Sequence, residues 1–332
     1  MTQASARVLD GRSLDAVRAT ARVLAAGELA GVPTETVYGL AARADQDGAV
    51  AKIFAAKGRP SDHPLIVHVL DEQGARVFGQ DLSPVAHRLI EAFWPGPLTV
   101  IVPRRAGMAA AAAGGQDTVG LRCPAHPVAH ALLAAAAALG VAGVAGPSAN
   151  RFGRISPTSA AHVHEEFGDS LSILDGGDCA AGIESAIVDC SRGAPALLRP
   201  GVLTRAQLEA ALGQPLAEAG GDAPRASGTL EAHYAPRAKL RLMPAEQLRT
   251  ALDMLPKSGV NPVAVYFRTV TPGRSVRAYR AMPDNPVAAA HELFSALREL
   301  DATGASLIWV ETPPDAPAWE GVRDRLQRAA AA

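Results

Sequence analysis

Apolar positions recur along the first two hundred residues at two alternating periods. Leu14, Val17, Ala21 and Leu24 fall on one face of a helix, and Val50, Ile53 and Phe54 share another. The second helix is expected to stop at Gly58 and Pro60, the usual punctuation of a helix C-terminus. Residues 65–70 (LIVHVL) then read as a buried strand. Ser83 and Pro84 suit the cap and first turn of a helix carrying Leu89, Ile90 and Phe93, and 98–102 (LTVIV) is the next strand. Helices and strands that alternate in this way share one sheet. Residues 127–149 contain no acid, lysine or arginine, yet Gly140, Gly143, Gly146 and Pro147 interrupt them. They read as a buried helix followed by a buried strand rather than as a membrane span.

Three glycine- and proline-rich loops break the alternation, and the longest, 146–158, is expected to leave a strand and enter a helix at Ser156-Pro157. A helix beginning at Arg205 gives way to an Ala/Gly/Pro/Asp-rich stretch over 213–228, which reads as a linker. A second alternation follows: strand 239–243, helix 245–255, strand 262–267, helix 287–300, strand 306–311 and a final helix. The expected organisation is a catalytic domain over 1–205, a linker over 206–236, and a small α/β accessory domain over 237–332 without a catalytic motif.

Composition narrows the function classes. A chain of 332 residues, 48% hydrophobic and 20% charged, suits two globular domains and excludes long disordered or fibrous architectures. The net charge of -1 disfavours binding nucleic acid or anionic membrane through a wholesale basic field, so any positive site must be built locally. Cys123, Cys179 and Cys190 form no CxxC pair and are too few for a disulfide framework or a cysteine-rich zinc site. The first ten residues, MTQASARVLD, lack the apolar core of a secretory signal, and a cytoplasmic protein is expected.

The common catalytic signatures are missing. No G-x-G, no G-x-x-x-x-G-K-[ST] and no HExxH occurs, and Ser148 in G-P-S-A-N lacks the second glycine of a nucleophile elbow. Lys57 and Arg59 flank Gly58 between a helix end and a strand, an arrangement that suits either an anion cradle or cations complementing the helix dipole. The stretch from Ser148 and Asn150 to Ser156 and Thr158 could hold an anion at a helix N-terminus, or Ser156 could simply cap that helix. Residues 33–39 place Thr34 and Thr36 beside Glu35, which is also ordinary strand composition. Arg122 and Arg199 end apolar runs, either as surface residues or aimed into a site from strand ends. His126 with His130, and His162 with His164 and Glu165, lack the further ligands a zinc site needs. His68 inside its strand reads as a core histidine unless a ligand supplies its partner.

In order along the chain stand PTETVYGL (33–40), K-x-R-P-x-x-x-P-L-I-V-H (57–68), WPGPLT (94–99), T-V-x-L-R-x-P (118–124), PSAN (147–150), SPT (156–158), LDGG (174–177), G-x-E-S (182–185) and LLRPG (197–201). This ordered set resembles the YrdC-like threonylcarbamoyl-AMP synthase family in its longer two-domain form, and His233-Tyr234-Ala235-Pro236 resembles the motif preceding that form's accessory domain. The resemblance implies a twisted open mixed sheet with flanking helices, plus a small Rossmann-like α/β domain. It implies that L-threonine, bicarbonate or CO2, and ATP with Mg2+ give threonylcarbamoyl-adenylate and pyrophosphate, a nucleotidyl transfer. The product would feed the tRNA threonylcarbamoyl-transferase machinery that modifies tRNA beside the anticodon, with tRNA binding weak or indirect and no membrane involved.

Carried over by motif, Thr36, His68, Arg122, Ser148 and Ser185 would surround threonine. Arg59, His63, Thr118, Asn150, Thr158, Arg199 and Tyr234 would contact ATP, and Lys57 with Arg59 would supply the catalytic charge near its phosphates. Position 63 is often Asn in the family and is His here, and residues 227–231 (SGTLE) replace a common P-G-M-K-Y. By the same resemblance the linker would cover the site and shield a labile acyl-adenylate from water. Two competing readings use the same residues: a non-catalytic RNA-binding or regulatory YrdC-like module, and a carbamoyltransferase acting on a protein.

Overall fold

Hydroxyl side chains set where several helices begin. Ser13, Ser83, Ser159 and Thr204 each accept a backbone N–H from the first turn, and Thr204 forms a reciprocal capping box with Gln207. The computed structural model describes residues 8–256, 259, 261–273 and 275–332. Residues 1–7, most of the stretch read for a secretory signal, lie outside the described residues.

Contacts divide the chain into two units, Met1–Phe152 with Ser156–Thr229, and Gly153–Ile155 with Leu230–Ala332. The stretch 206–236 read as a linker is therefore shared out, its first part going with the first unit. In that unit the strands are β1 (Val8–Asp10), β2 (Ala30–Val32), β3 (Gly39–Arg43), β4 (Ile66–His68), β5 (Leu98–Pro103), β6 (Thr118–Arg122), β7 (Val144–Ala145), β8 (Ser172–Asp175), β9 (Ala186–Asp189) and β10 (Ala196–Arg199). They form one mixed sheet in the order β1-β8-β2-β3-β7-β4-β6-β5-β9-β10. The helices are α1 (Leu14–Ala25), α2 (Asp47–Lys57), α3 (Glu72–Phe78), α4 (Pro84–Phe93), α5 (Pro127–Ala137), α6 (Ala160–Phe167) and α7 (Arg205–Leu212).

Several boundaries differ from the sequence reading. On α1 the buried face is Val17, Thr20, Ala21 and Leu24, whereas Leu14 at its first position is exposed. The stretch 65–70 contributes only three strand residues, Ile66–His68. The helix expected at Ser156-Pro157 starts at Ala160 and is capped by Ser159, because the Ser156 hydroxyl is turned to the buried Glu184 carboxylate instead. The helix α2 does end at Gly58, whose φ of 64° lets the chain reverse without a Cβ clash.

The period of two splits the central strands between their faces. Val67 of β4, Leu121 of β6, Val100 of β5 and Val188 of β9 point into the main core with Val50, Ile53, Phe78 and Leu89. On the other face Ile66, Ile101 and Ile187 form a small separate cluster with Leu198 and Ala226. A further core lies between α1, α5 and the strands β2 and β8, built from Val17, Leu24, Val32, Leu132, Leu133 and Leu174.

In the second unit β11 (Lys239–Met243), β12 (Val263–Phe267), β13 (Ala278–Ala281) and β14 (Leu307–Glu311) make an all-parallel sheet in the order β11-β14-β12-β13, with α8 (Ala245–Asp253), α9 (Pro286–Ala302) and α10 (Glu320–Ala330). This is the expected Rossmann-like alternation with one addition. The strand β13, a half-exposed edge, gave no buried apolar run to read.

Candidate functional site

The face of the central sheet that carries the small isoleucine cluster is the floor of a hollow. Ile66, Thr99, Ile101, Thr118, Gly120 and Ile187 line it, with Pro64 and Gln116 at the edge and residues 225–227 of the same unit lying against it. Because β4 and β6 run parallel in register, Ile66 pairs with Gly120 and His68 with Arg122. Strand alternation therefore puts His68 and Arg122 one step further along the same face.

Arg122 ends β6 almost wholly buried. Its Nε donates to the Gly96 carbonyl at 3.3 Å and its Nη1 to the Thr36 hydroxyl at 2.8 Å, while Nη2 lies 2.7 Å from a Glu35 carboxylate oxygen. The turn that presents Glu35 and Thr36 is tied by the Thr34 hydroxyl, which donates to the Val37 carbonyl at 2.6 Å and accepts the amides of Thr36 and Val37 at 3.2 Å. His68 is buried, and that burial followed by the Arg122 charge lowers its pKa to about 3, so its imidazole is neutral.

Arg199 ends β10 fully buried. Its Nε and Nη2 donate to the Ser185 carbonyl at 3.1 and 3.0 Å, and its Nη1 donates to the Ser227 carbonyl at 2.7 Å. The Ser185 hydroxyl shares a 2.8 Å hydrogen bond with Thr99 on the floor. Arg225 reaches across to the Asp62 carboxylate at 3.3 Å and to the Gly114 carbonyl at 3.0 Å.

A second group gathers at the end of α2. The Lys57 ammonium is buried and donates to the Ser148 carbonyl at 2.6 Å and to the Asn150 carbonyl, so it pins the 147–150 turn. Burial, then the Arg59 charge, pushes its pKa well below the ordinary lysine value, opposed by Glu166 and Glu184. Arg59 donates to the Pro64 carbonyl at 3.0 Å, on the edge of the hollow, and lies 5.8 Å over the Phe152 ring. His63 packs against the same ring at 5.4 Å, and burial followed by Arg59 lowers its pKa.

Of the residues carried over by motif, Thr118 lines this hollow, Arg199 reaches its Ser227 edge and Ser185 bonds Thr99 of its floor, whereas Arg122 with Thr36 lies beyond Gly120 and His68 lines a second cavity with Thr34, Leu132 and Leu133. Lys57, Arg59, His63, Ser148 and Asn150 are joined through α2 and Phe152. Thr158 sits where α6 begins, its hydroxyl 3.4 Å from His162 Nδ1. Tyr234 belongs to the second unit, where its ring packs on Phe294 and under the Arg325 guanidinium. Thr99 and Glu184 escaped singling out although both stand inside quoted motifs. Arg225 carried no signal, since it lies in a stretch whose composition reads as linker, and Ser227 stood out only as part of a departure from the family's common P-G-M-K-Y. Among the described residues no cluster of three or more metal-ligating side chains occurs, and no helix is long and apolar enough to cross a membrane.

Residues 22–201 match the family profile Sua5_yciO_yrdC, described as telomere recombination, and residues 203–331 match Sua5_C, described as the C-terminal domain of threonylcarbamoyl-AMP synthase. A threonylcarbamoyl-AMP synthase of Pyrococcus abyssi is 35% identical over 94% of this chain and 93% of its own length. One of Bacillus subtilis is 36% identical over 93% and 91%. The crystal structure of Pyrococcus abyssi Sua5 complexed with L-threonine superposes with a TM-score of 0.86 at 33% identity, covering 96% of this chain and 95% of that one. Both domain matches and this near full-length similarity show that the chain belongs to the two-domain Sua5 family of threonylcarbamoyl-AMP synthases.

Proposed function

We propose that this protein is a nucleotidyltransferase that makes L-threonylcarbamoyl-adenylate and pyrophosphate from L-threonine, bicarbonate or CO2, and ATP. The observation that carries the reading is the strand-face hollow with buried Arg199 bonded to Ser227 and Arg59 bonded to Pro64 of its lining, and with buried Arg122 two residues beyond Gly120 on β6, in a chain whose relatives bear this name along nearly its whole length.

The neutral amine of threonine adds through its lone pair to the carbon of CO2, opening one C=O π bond, and loses a proton to solvent to give a carbamate. A carbamate oxygen then attacks the α-phosphorus of ATP as the bond to the β-phosphate breaks and pyrophosphate leaves. No step needs a protein nucleophile, which suits three buried cysteines: burial pushes the Cys123 and Cys190 thiols up to about 12 and raises Cys179 as well. Catalysis rests on positioning and charge neutralisation. Arg122 takes the threonine carboxylate, with Thr36, Ser148, Ser185 and neutral His68 around the rest of the molecule. His63, Thr118, Asn150, Thr158 and Arg199 hold the nucleotide, while Lys57 and Arg59 place positive charge by its phosphates.

Mg2+ would enter on the nucleotide. Mg2+ keeps several waters and is usually held through phosphates and one or two carboxylates. When bound it would neutralise phosphate charge. We place the enzyme in the cytoplasm, where its product supplies the machinery that modifies tRNA beside the anticodon.

Purified protein given threonine, bicarbonate, ATP and Mg2+ should release pyrophosphate only when threonine is present. Threonine-independent release, or none, overturns the reading. Steep salt-dependent RNA affinity without turnover would favour the RNA-binding module instead.

A further inference from the structure

The contact between Glu35 and Arg122 is unusual in being close and poorly made. Arg122 spends Nε on Gly96 and Nη1 on Thr36, and its Nη2 lies 2.7 Å from Glu35 Oε1. Yet among the described residues no N–H of Nη2 is aligned with an acceptor, and neither Glu35 oxygen meets an aligned protein donor. Both carboxylate oxygens are nonetheless buried, and only 14% of the Glu35 side chain is exposed. A buried charge pair that leaves its hydrogen-bonding capacity unused is costly, and such groups in native proteins call for an explanation.

The segment holding Glu35 is not loose. The Thr34 hydroxyl ties the turn from inside, and the Glu35 carbonyl accepts the Ala181 amide at 2.7 Å. The carboxylate is therefore held beside the guanidinium by the fold rather than by the bond between them. One unspent cationic donor next to two unspent anionic acceptors is the complement of a zwitterion, in which carboxylate and ammonium sit on one carbon.

We propose that Glu35 receives the α-ammonium of the amino-acid substrate, so that Arg122 and Glu35 together read the zwitterion and Glu35 sets the preference for an amino acid. This rests on the reading that threonine's carboxylate is held by Arg122. Arg122 alone accepts any small carboxylate, a hydroxy acid as readily as an amino acid. A fixed negative charge beside it penalises ligands that bring no compensating positive group.

The test compares L-threonine with 2,3-dihydroxybutanoate, which carries a hydroxyl in place of the amine, by calorimetric titration of the full-length protein and of Glu35→Gln. Wild-type protein is expected to prefer threonine by about 30-fold or more, the lower end for truncating one partner of a buried charge pair. Glu35→Gln should bring the two affinities to within about threefold of each other by weakening threonine and not the analogue. A preference unchanged in the variant, or an equal loss for both ligands, overturns the proposal and leaves the Arg122 reading standing. Equal affinities in the wild type overturn it without any variant, which covers a Gln substitution that disturbs the fold. A wild-type protein that binds neither ligand overturns the substrate reading and this proposal with it.

Discussion

Burial decides the charge of His68, and the consequence is measurable. Its pKa in the folded chain, about 3, lies below the ordinary value of 6.5, so between those values the unfolded chain holds a proton that the folded chain lacks. Stability from this group is intact above 6.5 and is lost as pH falls through that window, by at most about 1.4 kcal/mol per pH unit. Replacing His68 by Gln should flatten the acid side of the stability profile, checked by urea unfolding at several pH values. A slope equal to wild type would place the group elsewhere. Arg59 answers to a different measurement. Arg59→Ala should cost about 2 to 4 kcal/mol of transition-state stabilisation, roughly 30- to 1000-fold in threonine-dependent pyrophosphate release, because phosphate charge is left unpaired. A loss under about threefold would remove Arg59 from the phosphate site. Arg122 and Arg199 could be read from the sequence because each ends an apolar run, and such a run places a strand end, while Arg59 is marked by its place with Lys57 around the glycine that ends α2. Glu35 could not, since a carboxylate between two threonines looks the same whether it faces water or a guanidinium.

Among the elements, the strand ends and the loops between them hold the site, and one glycine shows how. A Cβ built on Gly201 would lie 2.4 Å from the Ala186 amide nitrogen and 2.9 Å from the Ser185 carbonyl carbon, both backbone atoms that cannot swing aside. The turn after β10 is thus laid directly on the start of β9, where Ser185 meets Thr99 and Arg199. Gly201→Ala should displace that backbone, costing about 1 to 3 kcal/mol of stability as overpacking does. Pyrophosphate release should fall by more than the folded fraction accounts for. Thermal melting alongside activity checks this, and an Ala variant with full activity would show that the Ser185 placement tolerates movement. Helices with one apolar stripe and a strand buried on both faces were legible in advance, as α2 and α4 and, for the strand, β5 show. The start of α6 was misplaced because two serines, Ser156 and Ser159, both suit a cap, and only the buried Glu184 decides between them by taking the first.

For the molecule as a whole, the question is which part of the chain the hollow needs. The resemblance implies a boundary near 205 and the composition reads as linker only over 213–228, yet Leu208, Leu212 and Leu216 are buried in the first unit's main core, with α7 packed on α4. Large apolar core residues each contribute about 2 to 5 kcal/mol on truncation to alanine, so a chain ending at 205 loses more than a domain of ordinary stability can spare. It also loses Ser227, which accepts from Arg199, and Arg225, which bonds Asp62. Failure of that fragment therefore says nothing about shielding. A chain ending at Thr229 keeps every one of these contacts and is the informative cut. It is expected to melt cooperatively, unlike the shorter fragment, and the shielding that the resemblance implies predicts that it converts ATP to AMP without storing threonylcarbamoyl-adenylate. Chromatographic separation of adenylate product from free AMP distinguishes the two fates. Synthesis at the full-length rate by the chain ending at Thr229 would show that the first unit alone suffices and that nothing beyond it gates the reaction.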